Sequence, residues 1–185
     1  MIATGRRGTP PGWALATLAR MRIRLAGPGD AEAIRTIYNL EVTTDVNTFD
    51  LVPRTPAEQR VWLEAHRGAH PVVVAAEGAP GTETVLGFGS LSPYRDRPAY
   101  ATTVENSVYV DPAHRGRGAG RAILGELLVL AQGGGFHTVV ARIVGHNEAS
   151  IALHRAWGFE MVGVEREVGR KHGRWLDVVE LQRLL

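Results

Sequence analysis

Ile23 and Leu25 alternate with Arg22 and Arg24, the period of a half-buried strand, and Gly27-Pro28-Gly29 ends it. Asp30 is placed to cap a helix whose apolar positions Ile34, Ile37, Tyr38 and Val42 recur at helical spacing before the pattern loosens over residues 43–50. Thr55-Pro56-Ala57-Glu58 is a capping box with proline at the first helical position. It predicts a second helix to about Arg67, with Val61, Trp62 and Ala65 as its buried stripe. Residues 71–76 and 85–91 read as strands joined by a hairpin at 77–81, and residues 102–110 as a third. Residues 118–132 form the strongest helical pattern, with Ile123, Leu124, Leu127, Leu128 and Ala131 on one face and Gly133-Gly134-Gly135 as its stop. Residues 138–144 read as a strand buried on both faces. Asn147 then caps a short helix through Trp157, and two strands close the chain at 159–168 and 176–184. The order is strand, two helices, three strands, helix, strand, helix, two strands. That is an α/β (α+β) sandwich on a mixed sheet rather than a regular βαβ series, which argues against a dinucleotide-binding fold.

Composition narrows this picture without changing it. A chain of 185 residues, 44% hydrophobic and 22% charged, fits one soluble domain, taken as residues 21–185, and no apolar run is long enough to cross a bilayer. Residues 1–20 differ: Gly5–Gly12 is rich in glycine, proline and arginine, and an apolar patch covers 13–19. The patch is short for a secretory signal and no clean cleavage site follows it. The expectation is a disordered extension, with Met21 as an alternative start. A net charge of +2 with scattered basic residues gives no reason to expect a nucleic-acid partner. The absence of cysteine excludes disulfides and thiolate nucleophiles, and the cytoplasm is the expected compartment. His66 and His70 stand at a metal-ligand spacing, but no third ligand accompanies them, so no metal is expected.

The candidate chemistry lies where strand 102–110 runs into Asp111-Pro112-Ala113-His114-Arg115-Gly116-Arg117-Gly118-Ala119-Gly120-Arg121. Gly116, Gly118 and Gly120 strip the turn of side chains so that backbone N–H groups can close on an anion, and the helix that follows adds its positive dipole end. Arg115, Arg117 and Arg121 would add full charge. An ordinary tight turn is the competing explanation. The run has no Lys-Ser/Thr pair of a P-loop and no acidic residue at the dinucleotide distance, so the expected ligand is another phosphate-bearing molecule. Glu105 shares its strand face with Thr103, Ser107 and Tyr109, opposite apolar Val104, Val108 and Val110. It is either a solvent-facing carboxylate or an acid or base. Asn147 is first a helix cap. His154, two turns along, either packs on the sheet or moves a proton near neutral pH. Arg97, in the polar loop 94–98, reads as a solvated surface charge.

Arg115-Gly116-Arg117-Gly118-Ala119-Gly120 resembles the Gln/Arg-x-x-Gly-x-Gly/Ala acetyl-coenzyme A signature of the GNAT N-acetyltransferases. Val104–Val110, Tyr38-Asn39, Thr48-Phe49, Arg97–Tyr100, His154–Phe159 and Lys171–Val178 resemble the phosphinothricin and methionine sulfoximine acetyltransferase branch, from Met21 to the C-terminus. The resemblance implies a mixed, mostly antiparallel sheet flanked by helices in β-α-α-β-β-β-α-β-α-β-β order. It also implies direct acetyl transfer from acetyl-coenzyme A to the primary amine of a small amino-acid-like molecule, in a homodimer, without metal, nucleic acid or membrane. Glu105 would take the amine proton and His154 would return one to sulfur. Val108, Tyr109, Val110, residues Arg115 to Arg121 (Gly116, Arg117, Gly118, Ala119 and Gly120 between them) and Asn147 would hold the cofactor, and Phe49, Arg97 and Thr103 the acceptor. A backbone N–H near Val108 would polarise the thioester carbonyl. No acyl-enzyme is expected, since neither a cysteine nor a Ser-x-Gly nucleophile turn is present. Asp45-Val46-Asn47 is a polar version of the pocket loop, and Asn106 stands where relatives often carry histidine. The acceptor therefore stays open: another amine (a protein N-terminus, a polyamine, an aminoglycoside) is one alternative, and a non-catalytic acetyl-coenzyme A sensor is another.

Overall fold

The computed structural model describes residues 21–79 and 81–185, so the expected N-terminal extension lies outside the described residues. The chain runs β1 (Arg22–Leu25), α1 (Ala31–Thr44), α2 (Pro56–Ala65), β2 (Val72–Glu77), β3 (Thr84–Pro93), β4 (Thr103–Val110), α3 (Ala119–Gly133), β5 (Thr138–Val144), α4 (Glu148–Ala156), β6 (Glu160–Lys171) and β7 (Arg174–Leu184). These elements follow the expected order. The strands form one sheet in the order β1-β2-β3-β4-β5-β7-β6, antiparallel throughout except for the parallel pair β4–β5. No helix of the described residues is long and apolar enough to cross a membrane.

Two apolar layers sandwich the sheet. On one face α3 buries Ile123, Leu124, Leu127, Leu128 and Ala131 against Val73, Ala75, Val104, Val139 and Leu181. Each buried Leu or Ile there contributes roughly 1.5–3 kcal/mol. The contact is close because β3 offers glycine: a Cβ on Gly89 would stand 2.5 Å from Ile123 Cγ2 and 2.8 Å from the Ser107 carbonyl oxygen. On the other face Ile34, Ile37, Tyr38 and Val42 of α1 cover Val72, Val74 and Phe88. The His172-Gly173 turn that joins β6 to β7 has both residues at positive φ, as a tight two-residue hairpin requires.

Three local expectations change. Asp30 occupies the position before α1, but its side chain caps nothing in that helix. It turns back to accept from Gly27 N–H at 2.7 Å and pairs with Arg24, because two strong donors lie behind it. The Thr55–Glu58 capping box forms as read, yet α2 stops at Ala65 and buries Gln59 with half-buried Trp62 and Leu63, leaving Val61 65% exposed. The helix is rotated so that Trp62 meets Phe88 edge-on, which carries Val61 outward. β5 is not buried on both faces along its length: Arg142 is exposed and pairs with Glu165 of β6.

Candidate active site

β4 and β5 pair for only three residues, Thr103–Thr138, Val104–Val139 and Glu105–Val140, and then splay apart. Asp111 N–H donates to Leu86 O of β3, so by strand alternation the backbone groups of Asn106, Val108 and Val110 point the other way, toward the gap. The gap is a cavity of about 310 Å³. β4 lines one wall from Asn106 to Val110, β5 the other from Ala141 to Val144, α4 closes the back, and Arg115, Gly116, Gly118, Ala119 and Gly120 form one end.

That end is built for an anion. Gly116 and Gly118 sit at φ 77° and 87°, conformations that glycine adopts without strain. Gly118 is the residue before α3 and brings no side chain to cap it, so among the described residues no side chain caps the first N–H groups of this 15-residue helix, and Gly118, Ala119 and Gly120 line the cavity. The three arginines do not converge there as expected. Arg115 lines the cavity, its guanidinium donating to buried Glu41 and to the Val110 carbonyl. Arg117 turns outward to Glu77 at 2.7 and 2.8 Å. Arg121, one helical turn on, lies over Trp157 at 5.6 Å. Arg117 and Arg121 each meet a partner away from the cavity.

His154 is 3% exposed on α4, with Nδ1 2.8 Å from the Ser150 carbonyl and Nε2 3.0 Å from Asn106 Oδ1. Asn106 cannot present its amide instead, because its Nδ2 donates to Val140 O at 3.0 Å. Both ring nitrogens therefore face acceptors, which suits a ring carrying two protons, whereas burial pushes the pKa below its ordinary value. Asn147 caps α4 by accepting from Ser150 N–H at 3.1 Å, as expected, and its amide donates to Asn47 Oδ1 at 2.9 Å.

Glu105 lies at the root of the splay rather than inside the cavity. Burial pushes its pKa up, the nearby Arg142 guanidinium opposes that shift, and Glu180 and Glu165 add to it. Arg142, two residues beyond Val140 on the same face, lines the cavity and pairs with Glu165. Tyr109 reaches the cavity wall but stacks on Phe88 at 5.2 Å, so its ring belongs mostly to the core. Thr103 is half-buried at the start of β4, Phe49 lies over Gly169 of β6, and Arg97 is exposed on the turn before β4. Thr103, Phe49 and Arg97 are not on the cavity wall, so the structure does not bring the expected acceptor residues together with the cofactor residues.

Glu41, Asn47 and Asn106 were absent from the expected site residues. Glu41 extends the apolar stripe Ile34, Ile37, Tyr38, Val42, and Asn106 sits between Val104 and Val108 on the apolar face of β4. A polar side chain on an apolar stripe was the signal available.

A splayed parallel strand pair beside an uncapped helix start and a glycine turn forms a cleft whose chemistry suits a phosphate-bearing ligand. Residues 34–159 match the acetyltransferase (GNAT) family, and the chain belongs to that family. It is 39% identical over 167 residues to the phosphinothricin N-acetyltransferase of Streptomyces coelicolor, covering 90% of this chain and 98% of that protein. It is 39% identical over 161 residues to an L-methionine sulfoximine/L-methionine sulfone acetyltransferase of Pseudomonas paraeruginosa, with coverage of 86% and 92%. Among solved structures, a phosphinothricin acetyltransferase from Sinorhizobium meliloti in complex with acetyl-coenzyme A superimposes with a TM-score of 0.83 at 38% identity, covering 89% of this chain and 88% of that one.

Proposed function

We propose that this protein transfers the acetyl group of acetyl-coenzyme A to the primary amine of a small amino-acid-like acceptor of the phosphinothricin, methionine sulfoximine or methionine sulfone type. The observation that carries the assignment is the splayed β4–β5 cleft closed by the uncapped start of α3. Its residues fit the donor. Orphan N–H groups and Arg115 suit a pyrophosphate, and the outward-facing backbone of Asn106, Val108 and Val110 suits the amides of a pantetheine arm. Acetyl-coenzyme A supplies an activated thioester there.

The protein's own part is positioning and proton transfer. Glu105, raised in pKa and at the root of the cleft, accepts the proton that an ammonium must lose before it can attack. The Val108 N–H, left without a β5 partner by the splay, would hold a developing oxyanion. His154 holds the proton that sulfur requires on leaving, through Nε2, which Asn106 keeps at the cleft wall. Phe49, Thr103 and Arg97 contribute to the acceptor side. On the strength of the family resemblance, the same proposal takes the enzyme as a cytoplasmic homodimer.

A thiol-release assay over free amino acids, methionine sulfone, methionine sulfoximine and phosphinothricin, with polyamines and an aminoglycoside alongside, tests this. Acetylation of the amino-acid-like compounds is expected. Release only with the other amines would move the substrate class, and donor binding without any release would leave a binding module.

A further inference from the structure

Glu41 is a carboxylate on the wall of an anion-binding cleft, where a negative charge opposes the ligand. Its side chain is only 4% exposed, and it is bonded at both oxygens. One oxygen accepts from Arg115 Nη2, and the other accepts from Asn47 Nδ2 at 2.8 Å. Arg115 is held a second time by its own Nε, which donates to Val110 O at 3.4 Å. Two fixed acceptors, one on Nε and one on Nη2, set the plane of the guanidinium, and the donors they leave over remain on a side chain half-exposed at the cleft. The chain of bonds continues: Asn47 Oδ1 accepts from Asn147 Nδ2 at 2.9 Å, and Asn147 Oδ1 caps α4.

We infer that Glu41 is a positioning residue for the donor: it locks Arg115 into the orientation that receives the pyrophosphate, and Asn47 extends the same lock to Asn147 beside the pantetheine arm. The inference rests on acetyl-coenzyme A being the donor. Freeing Arg115 would leave its charge in place but return the fork to solvent, so binding must order it again. The competing outcome is that Glu41 merely draws Arg115 away from the phosphates, in which case its removal would tighten binding.

The test compares a donor with a pyrophosphate to one without. Glu41→Gln keeps an acceptor for Asn47 and removes the ion pair. It should raise the Kd for coenzyme A, read by isothermal titration calorimetry, about tenfold, the scale of a hydrogen bond to a charged group. It should lower kcat/KM for acetyl-coenzyme A by a similar factor while leaving S-acetylpantetheine within about twofold. In an Arg115→Gln background the same substitution should have no further effect on either ligand. Glu41→Asp, which keeps the charge but withdraws it from Arg115, should give the same donor discrimination and serves if the glutamine variant folds poorly. Equal losses with both donors, no loss with either, or tighter coenzyme A binding would each overturn the inference. Failure of the unmodified protein to bind coenzyme A at all would instead overturn the proposed donor.

Discussion

Asn147 donates its side-chain amide to Asn47 Oδ1 at 2.9 Å, joining the cap of α4 to the loop after α1 across 100 residues of chain. The two amides cannot exchange their ends freely, because Asn147 Oδ1 accepts from Ser150 N–H and Asn47 Nδ2 donates to Glu41. One side chain thus serves as helix cap through its oxygen and as loop anchor through its amide nitrogen, and substitution separates the two. Asn147→Ala removes both, with an expected cost of about 1 kcal/mol for the cap. Asn147→Asp retains the cap but sets a carboxylate oxygen against Asn47 Oδ1. Thermal unfolding should show a clear loss for alanine and a smaller one for aspartate, whereas hydrogen exchange over residues 45–50 should accelerate in both. Unchanged exchange in the aspartate variant would mean the loop is held without Asn147.

Glu105→Gln should lower kcat by about 10²–10⁴-fold, the usual contribution of general-base catalysis, with coenzyme A affinity unchanged because Glu105 is off the cavity wall. Its stability effect has the opposite sign. The folded-state pKa lies above the ordinary 4.5, so folding favours the protonated acid, and that stabilisation is lost as pH rises through the raised pKa. An uncharged amide escapes the loss. The variant should therefore melt higher than the parent at neutral pH and converge with it below about pH 4, the ordinary glutamate range. Full turnover in the variant would remove Glu105 from the chemistry.

The element order was legible because each helix and strand carries its own periodicity and stop: Gly27-Pro28-Gly29 after β1, the Thr55–Glu58 box, and the glycines after α3. Much of the donor end was legible for the same reason, since Gly116 and Gly118 are local necessities of a turn at positive φ. What escaped depends on partners distant in the chain. That Arg117 goes to Glu77 and Arg115 to Glu41 is decided by which carboxylate the fold brings within reach, over 40 and 74 residues of separation. The end of β4–β5 pairing after Glu105 and Val140 likewise leaves no mark in either strand's alternation. Glu41 and Asn106 read as blemishes in apolar stripes, and only the folded structure shows what each of them bonds across the cleft.

Two glycines of the donor end should respond to alanine with opposite signs in stability. Gly118 sits at φ 87° with open space where a methyl group would stand, so the cost of Gly118→Ala is backbone strain alone, roughly 1–2 kcal/mol. Gly120 lies within α3 at ordinary helical φ, and its new methyl would meet Leu153 and Val110 at 3.5 Å, an ordinary contact. Gly120→Ala should therefore stabilise the free protein by about 0.5–1 kcal/mol. Gly120 also lines the cavity, so the same methyl narrows the donor's approach and should raise KM for acetyl-coenzyme A. Urea unfolding and donor kinetics on the pair give the comparison. A Gly120→Ala protein that is both stabler and fully active would show that the donor passes clear of α3.

The charges around Glu105 give a prediction with a sign on each side. Burial raises its pKa most, Arg142 holds the rise in check, and Glu180 adds to it; Tyr94 donates to Glu180 at 3.3 Å on the same surface. If Glu105 must be ionised to accept the amine proton, the acidic limb of the kcat/KM profile reports its pKa in the free enzyme. Arg142→Met removes the favourable cation and should move that limb to higher pH, lowering activity most below neutrality. Glu180→Gln removes a like charge and should move it to lower pH. Each shift should be a fraction of a unit to about one unit, since both partners are partly exposed and salt screens them, so raising ionic strength should shrink the two displacements together. A limb that stays fixed in both variants, while Glu105→Gln abolishes turnover, would assign the limb to ionisation of the acceptor rather than to Glu105.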